Sequence, residues 1–368
     1  MDEAWPEPEA HASPAPRLAH IAIVASAAEG AMGLSVKRGF EALGRRVTYL
    51  PYLDWLPSLG ASFRGAGLIT RGLAGLTRPA LEVRLVSALA RAKPDAILFV
   101  KCDDLHATTY AAIRAAHKAP ILVYHPDDPW NQAHLFRRGP SHARADVQIR
   151  HADAVFLWAR HLVTRAAAEG AQRAFYLPFA CDPMLHGAVA AVTEQERADL
   201  GADVTFVGNW DPEREAWLGP VADAGIDLAI WGNGYWRGRC RHLGLQEAWR
   251  GRELFGGEQA KAAFASKIMV NVLRKQNKGA CNMRTFEVPC TGAFMLHERS
   301  PEAAVYFPPG EACGDFGTPE ELVAEIRRWL ADPEGRARIA AEGHRRAMRW
   351  TYREWAWKVL ERCEGWAA

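Results

Sequence analysis

The segment NMRTFEVPCTG, Asn282 to Gly292, gathers the side-chain types needed to hold a phosphorylated ligand. Asn282, Arg284 and Thr285 fall where a short helix is expected to begin. Free backbone N–H groups and the helix macrodipole favour an anion such as a diphosphate at that point. Arg284 adds a planar, bidentate donor. Glu287 follows about one turn later, where its carboxylate could accept two hydrogen bonds from a ribose diol. Spacing leaves a second reading open, because Arg284 and Glu287 stand i, i+3 and could simply pair on the surface of an ordinary helix. Just upstream, Arg274, Lys275 and Lys278 form a short basic loop after the apolar run Ile268–Val272. Cations there could neutralise a departing diphosphate in place of a metal. A solvated surface run is the competing reading for any one of them.

A second group lies in the first half. HPDDPW puts His125, Asp127 and Asp128 directly after the apolar run Pro120–Tyr124. An imidazole or carboxylate at that edge could deprotonate an acceptor hydroxyl. The same residues read equally well as a turn, since Asp before Pro commonly starts one. Asp103 and Asp104, after Ala96–Lys101, invite the same two readings. No second ligand cluster accompanies HxDD, so no metal is expected. Gly30 and Gly33 make only half of a dinucleotide fingerprint, which argues against a nicotinamide cofactor. Gly208, Asn209 and Trp210, with Asp211 and Pro212 behind them, form a strand-to-helix turn whose backbone could approach a phosphate. A plain turn with Asp211 as the helix cap accounts for the same residues.

These residues need elements to place them, and the chain alternates short apolar runs with helical patterns almost throughout. In the first half the expected strands are His20–Ala25, Val47–Tyr52, Ala96–Lys101, Pro120–His125, Ala154–Trp158 and Phe175–Pro178, with helices near Leu34–Leu43, Leu81–Arg91, Ala107–His117 and Arg160–Glu169. The Gly-rich stretch Asp54–Pro79 reads as a loop with at most a short helix. A second series begins with Val204–Gly208 and continues through Leu228–Trp231, Ile268–Val272, Ala293–Leu296 and a stretch near Val305–Phe307. Thr318, Pro319, Glu320 and Glu321 open a well-capped helix. Helices over Pro333–Met348 and Tyr352–Cys363 follow. The resulting fold class is α/β with mostly parallel sheets. The expected organisation is a tail over 1–18, one Rossmann-like domain over 19–198, a second over 203–349, and a final helix from 350 returning to the first.

At 368 residues the chain is long enough for two cores. Its 45 basic and 43 acidic side chains nearly cancel, which excludes a nucleic-acid binder held by a broad basic field. No apolar run reaches the roughly 18 to 20 residues needed to span a bilayer. The opening MDEAWPEPEAHASPAPR lacks the basic head and apolar centre of a secretory signal. Seven scattered cysteines without a CxxC pair exclude a disulfide framework and suit a reducing cytoplasm. Trp350, Trp355 and Trp357 are expected in a packed core. The arginines around them, Arg345, Arg346, Arg349 and Arg353, leave peripheral membrane association open.

VTFVGNWDPERE, SKIMVNVLR, NMRTFEVPCTGAFMLHE and the tail from TPEELVAEIRRWL resemble the CgeB-like, or spore maturation protein, glycosyltransferases, closely from Val204 onward and more loosely through HPDDPW and YLPFACDP. That family is similar in turn to the retaining group-1 glycosyltransferases. The resemblance implies a GT-B fold, two Rossmann-like domains facing across a cleft. It implies transfer of a sugar from a UDP- or GDP-sugar to a hydroxyl on a glycan, lipid-linked saccharide or protein, without a metal or other cofactor. It gives Gly208 and Asn209 a role at the donor and aligns Glu287 with the glutamate that binds the nucleotide ribose. Eight residues before Glu287 the family has a second glutamate; here Gly279 stands in its place. A GT-B nucleotide-sugar epimerase and a non-catalytic nucleotide-sugar-binding or coat-assembly protein are the alternatives.

Overall fold

The computed structural model describes residues 18–364 apart from 29, 56–65, 104, 131–140 and 188–191. The expected N-terminal tail and Asp104 therefore lie outside the described residues, apart from Leu18. The chain forms two compact units, one built from the described residues up to Pro178 together with those from Tyr352 onward, the other from Phe179–Thr351.

In the first unit β1 (His20–Val24), α1 (Gly33–Ala42), β2 (Arg46–Leu50), α2 (Ala66–Ala92), β3 (Ala96–Val100), α3 (Ala107–Ala116), β4 (Ile121–His125), α4 (Ser141–His151), β5 (Ala154–Leu157), α5 (Arg160–Ala168) and β6 (Ala174–Tyr176) alternate. The strands make one parallel sheet in the order β2-β1-β3-β4-β5-β6. Strands β1, β3 and β4 are buried along their whole length, as a sheet covered by helices on both faces requires of runs such as AILFV. The Gly-rich composition predicts a loop over Asp54–Pro79, but α2 starts at Ala66 and runs through Pro79 for 27 residues. Its weak apolar periodicity hid it, and the proline is accommodated inside.

In the second unit α6 (Glu194–Leu200), β7 (Val204–Val207), α7 (Pro212–Asp223), β8 (Leu228–Trp231), α8 (Tyr235–Gly238), α9 (Leu243–Ala248), α10 (Gly256–Ala265), β9 (Ile268–Asn271), α11 (Met283–Cys290), β10 (Met295–Glu298), α12 (Pro301–Tyr306), β11 (Gly314–Phe316), α13 (Pro319–Ala331) and α14 (Pro333–Ala347) give a parallel sheet ordered β11-β10-β9-β7-β8. Expected boundaries at 198 and 203 differ from the division at Phe179, because α6 is tied to this unit by Lys261–Glu196 and by Arg197 donating to the Ala265 carbonyl. The stretch near Val305–Phe307 is helical, not a strand: Ser300 caps α12 by accepting from the Ala303 N–H, and the last strand is Gly314–Phe316. Thr318 caps α13 by accepting from Glu321 N at 3.1 Å, with Pro319 at the first helical position.

The chain then re-enters the first unit with α15 (Tyr352–Glu364). This helix packs on α1 so closely that a Cβ added at Gly39 would lie 2.1 Å from the Tyr352 carbonyl oxygen. Trp355 meets Tyr124 edge-on, ring centroids 5.1 Å apart. All seven cysteines are buried and none forms a disulfide. Among the described residues no helix is long and apolar enough to cross a membrane.

Candidate functional site

In the second unit the order reverses between β7 and β9, and a sheet of this kind binds ligands at the carboxyl ends of the strands beside that switch point. Gly208 and Asn209 follow β7 directly, and Val272 to Arg274 follow β9. Buried Arg214, on α7, ties the two loops together by donating from Nη1 to the Asn209 carbonyl at 2.9 Å and from Nη2 to the Val272 carbonyl at 3.2 Å. Burial brings its pKa down to about 10, against Asp211 and Glu298, with Arg274 and Arg284 pushing the same way. It stays fully charged at neutral pH. Arg274 and Arg284 thus both lie near enough to Arg214 to act on its charge. The Asn209 side chain accepts from Asn233 N, and the Asn233 side chain from Trp210 N, both at 3.3 Å, joining this loop to the one after β8. A Cβ at Gly232 would lie 2.1 Å from the Gly208 carbonyl oxygen, so only glycine permits that approach.

Asn282 caps α11, its Oδ1 accepting from Thr285 N at 3.0 Å. The same amide exchanges two hydrogen bonds with Asn271 at the end of β9, at 3.0 and 2.8 Å. Thr285 is fully buried and bonded to His297 Nε2 at 2.9 Å. Burial lowers the His297 pKa to about 4, against the Glu298 carbonyl and Asp315. The ring is therefore neutral, with Nδ1–H donating to the Glu298 carbonyl and Nε2 accepting from Thr285. Asn282 and Thr285, expected at phosphate, spend their side chains on this internal network, which fixes where α11 begins.

Arg284 and Glu287 do form the i, i+3 pair that spacing left open, yet away from open solvent: Glu287 is 4% exposed. Gln259 on α10 donates to the same carboxylate at 3.0 Å, and His186 Nε2 stands 3.9 Å away. Burial pushes the Glu287 carboxyl up, but Arg284, His186 and Gln259 together hold it below its ordinary value. Lys278 is taken up by Glu298 and by Glu213 at 3.2 Å, and sits 5.1 Å from the Trp217 ring centroid. Arg274 and Lys275 are exposed and without an ion pair among the described residues. Gly279 has a φ of +77° and open space where a Cβ would stand. A Cβ there would meet no obstacle, but any side chain would carry left-handed strain of about 1 to 2 kcal/mol.

In the first unit His125 ends β4, 2% exposed, with Nε2 unpartnered among the described residues. Burial lowers its pKa; Asp103, Asp127 and Asp128 oppose this and Lys101 adds to it. Asp127 pairs with Lys101 at 2.7 Å and is about half exposed. Asp128 accepts from Trp130 N at 2.8 Å, the turn bond of the alternative reading. Lys101 and Cys102 are consecutive non-glycine residues with φ of +63° and +54°. Buried Gln148 holds that strained turn by donating to both carbonyls, at 2.9 and 3.2 Å. Gly30 carries a φ of +79° before α1, and a Cβ at Gly33 would lie 2.3 Å from the Tyr49 hydroxyl. Sequence reasoning missed Arg214, Gln259, His186, Glu298 and Gln148, each of which has a partner between 25 and 101 residues away. No local signal marks them. Among the described residues no group of three or more His, Cys, Asp or Glu could hold a metal.

The two parallel-sheet units define the class: this is the GT-B fold, two Rossmann-like domains. Residues 214–361 match a family model described as "Glycosyl transferase-like". No curated protein matches the chain. Among solved structures it is similar to sucrose-phosphate synthase from Thermosynechococcus elongatus, at 14% identity and a TM-score of 0.66 over 95% of this chain and 100% of that one. HepE of Anabaena in complex with UDP-glucose is similar at 12% identity and a TM-score of 0.61, over 94% and 99%. Trehalose-6-phosphate synthase OtsA is similar at 13% identity and a TM-score of 0.61, over 94% and 99%.

Proposed function

We propose that this chain is a glycosyltransferase of the CgeB-like group that moves a sugar from a nucleotide-sugar donor, a UDP- or GDP-sugar, to a hydroxyl acceptor on a glycan, lipid-linked saccharide or protein. The observation that carries the reading is the edge of the second unit where Arg214, Arg274 and Arg284 converge beside the buried carboxylate of Glu287. A diphosphate suits the guanidiniums of Arg274 and Arg284, with buried Arg214 adding its charge from behind the two loops it holds, and a carboxylate held ionised nearby suits a ribose diol. The glycosyltransferase-like match over 214–361 and the UDP-glucose complex of HepE support it. Glu287 accepts from the ribose hydroxyls, Arg284 and Arg274 face phosphate, and the backbone of Gly208 and Asn209 approaches the diphosphate. Asn282 and Thr285 act indirectly, by fixing the start of α11. Lys278 reaches the donor only by exchanging Glu213 or Glu298 for phosphate. His125, Asp127 and Asp128 are the acceptor-side candidates, with Asp127 the accessible carboxylate and neutral His125 its buried neighbour. The reaction runs without a metal, in a reducing compartment such as the cytoplasm, which seven buried cysteines outside any disulfide support.

A thermal-shift panel of UDP, GDP and their sugars tests the assignment. Stabilisation of the wild type by one nucleotide series, reduced about tenfold in apparent affinity by Glu287→Ala, is the expected result. Equal response of both proteins, or none in the wild type, would overturn the donor site. Release of nucleoside diphosphate only with acceptor present separates transfer from epimerisation.

A further inference from the structure

A concavity lies on the side of α7 away from Arg214. Pro212, Ala216 and Pro220, spaced four residues apart on one ridge, line a groove of about 620 Å³ whose wall also includes Trp210, Arg239 and Arg241. That volume is within the range of small-molecule sites, roughly 300 to 1,000 Å³. Two acids also reach the wall, and both are already engaged. Glu215 accepts from Arg241 N at 2.7 Å, His242 N at 3.1 Å and Trp210 Nε1 at 2.8 Å, and these bonds outweigh burial to hold its carboxyl below the ordinary value. Asp223 stands 3.1 Å from His242 Nε2. The guanidiniums are not so engaged. Arg239 lies 4.0 Å from the Tyr235 ring centroid, and neither it nor Arg241 has an ion pair among the described residues. What the groove offers a ligand is therefore two guanidiniums without an ion pair among the described residues, one of them stacked on Tyr235, beside an apolar ridge and an indole whose N–H is already bonded.

We propose that this groove is a saccharide site separate from the donor edge, and that its ligand is a sugar bearing a phosphate or a carboxylate. The anion pairs with Arg239 and Arg241, and the apolar face of the sugar ring lies against Trp210 and the proline-alanine ridge. Loss of either half leaves a weaker ligand: a neutral sugar has nothing for the guanidiniums, and a bare anion has nothing for the ridge.

Isothermal titration of the full chain with glucose 6-phosphate, glucuronate, glucose and inorganic phosphate tests this. At least one anionic sugar should bind about tenfold or more tighter than both glucose and phosphate. Binding by only one of the two supports the site and names its anion. The double variant Arg239→Glu/Arg241→Glu should lose about tenfold or more of that affinity. Arg237→Glu, on the same exposed segment but outside the groove wall, should lose none. Phosphate binding as tightly as glucose 6-phosphate, an equal loss in Arg237→Glu, or no binding of either anionic sugar would overturn the proposal. The UDP-induced thermal shift is measured in each variant and should not change. Its absence in the wild type would refute the donor reading and leave this one standing.

Discussion

Glu287 shows how a carboxylate can be buried and still ionised, because Arg284, Gln259 and His186 surround it and outweigh the cost of leaving water. His297 is the opposite case, a titratable group kept neutral by burial and fixed by Thr285 and a carbonyl. Its folded pKa of about 4 lies below the ordinary 6.5, so between those values the unfolded chain binds the extra proton. Stability from His297 is thus fully present above about pH 6.5 and lost as the pH falls through 4, by about 3 kcal/mol in all. Urea unfolding from pH 7 to pH 4 should show this slope, and His297→Gln should flatten it whatever the variant costs at pH 7. An unchanged slope would mean that His297 is protonated in the folded protein. Sequence made Arg284 and Glu287 visible by type and spacing. It could not make their burial visible, and burial separates a surface pair from a candidate site. Gln259 and Arg214 were illegible for a related reason, since Glu287 lies 28 residues from the first and Val272, one of the two carbonyls the second joins, 58 residues away.

At the scale of elements, apolar runs gave the sheet strands well wherever burial on both faces forces continuous hydrophobicity, as in AILFV and IMVN. Weakly patterned α2 and the short strand Gly314–Phe316 escaped for want of such runs. The expected strand Ala293–Leu296 lies at Met295–Glu298, a shift that puts His297 and Glu298 at the strand end beside the site. Close approach is equally hidden from periodicity. Gly39 lets α1 meet the start of α15 with no room for a methyl group, so Gly39→Ala should push α15 outward. A loss of about 1 to 3 kcal/mol in urea unfolding is expected. Glu41→Ala, at an exposed position of the same helix, serves as a control and should lose only the worth of its surface pair with Lys37, on the order of 0.2 to 0.5 kcal/mol.

For the whole molecule, two parallel sheets were legible from the alternation of runs and helices, and so was a final helix near Tyr352. The point of division was not, because α6 carries no mark of which core it serves. Ending the chain before Tyr352 should weaken only the first unit, uncovering the face of α1 and freeing Trp355 from Tyr124. Hydrogen exchange should then rise over β1 and α1 while protection of β7 and β9 stays as it was. Loss of protection in both sheets would show that the units do not unfold separately. The place of α15 also orders events at the ribosome. The first unit begins to emerge first but finishes last, since its closing helix is made only after all of Phe179–Thr351. Through that interval its sheet waits with an apolar flank open, and it is there that a nascent-chain chaperone would find this protein.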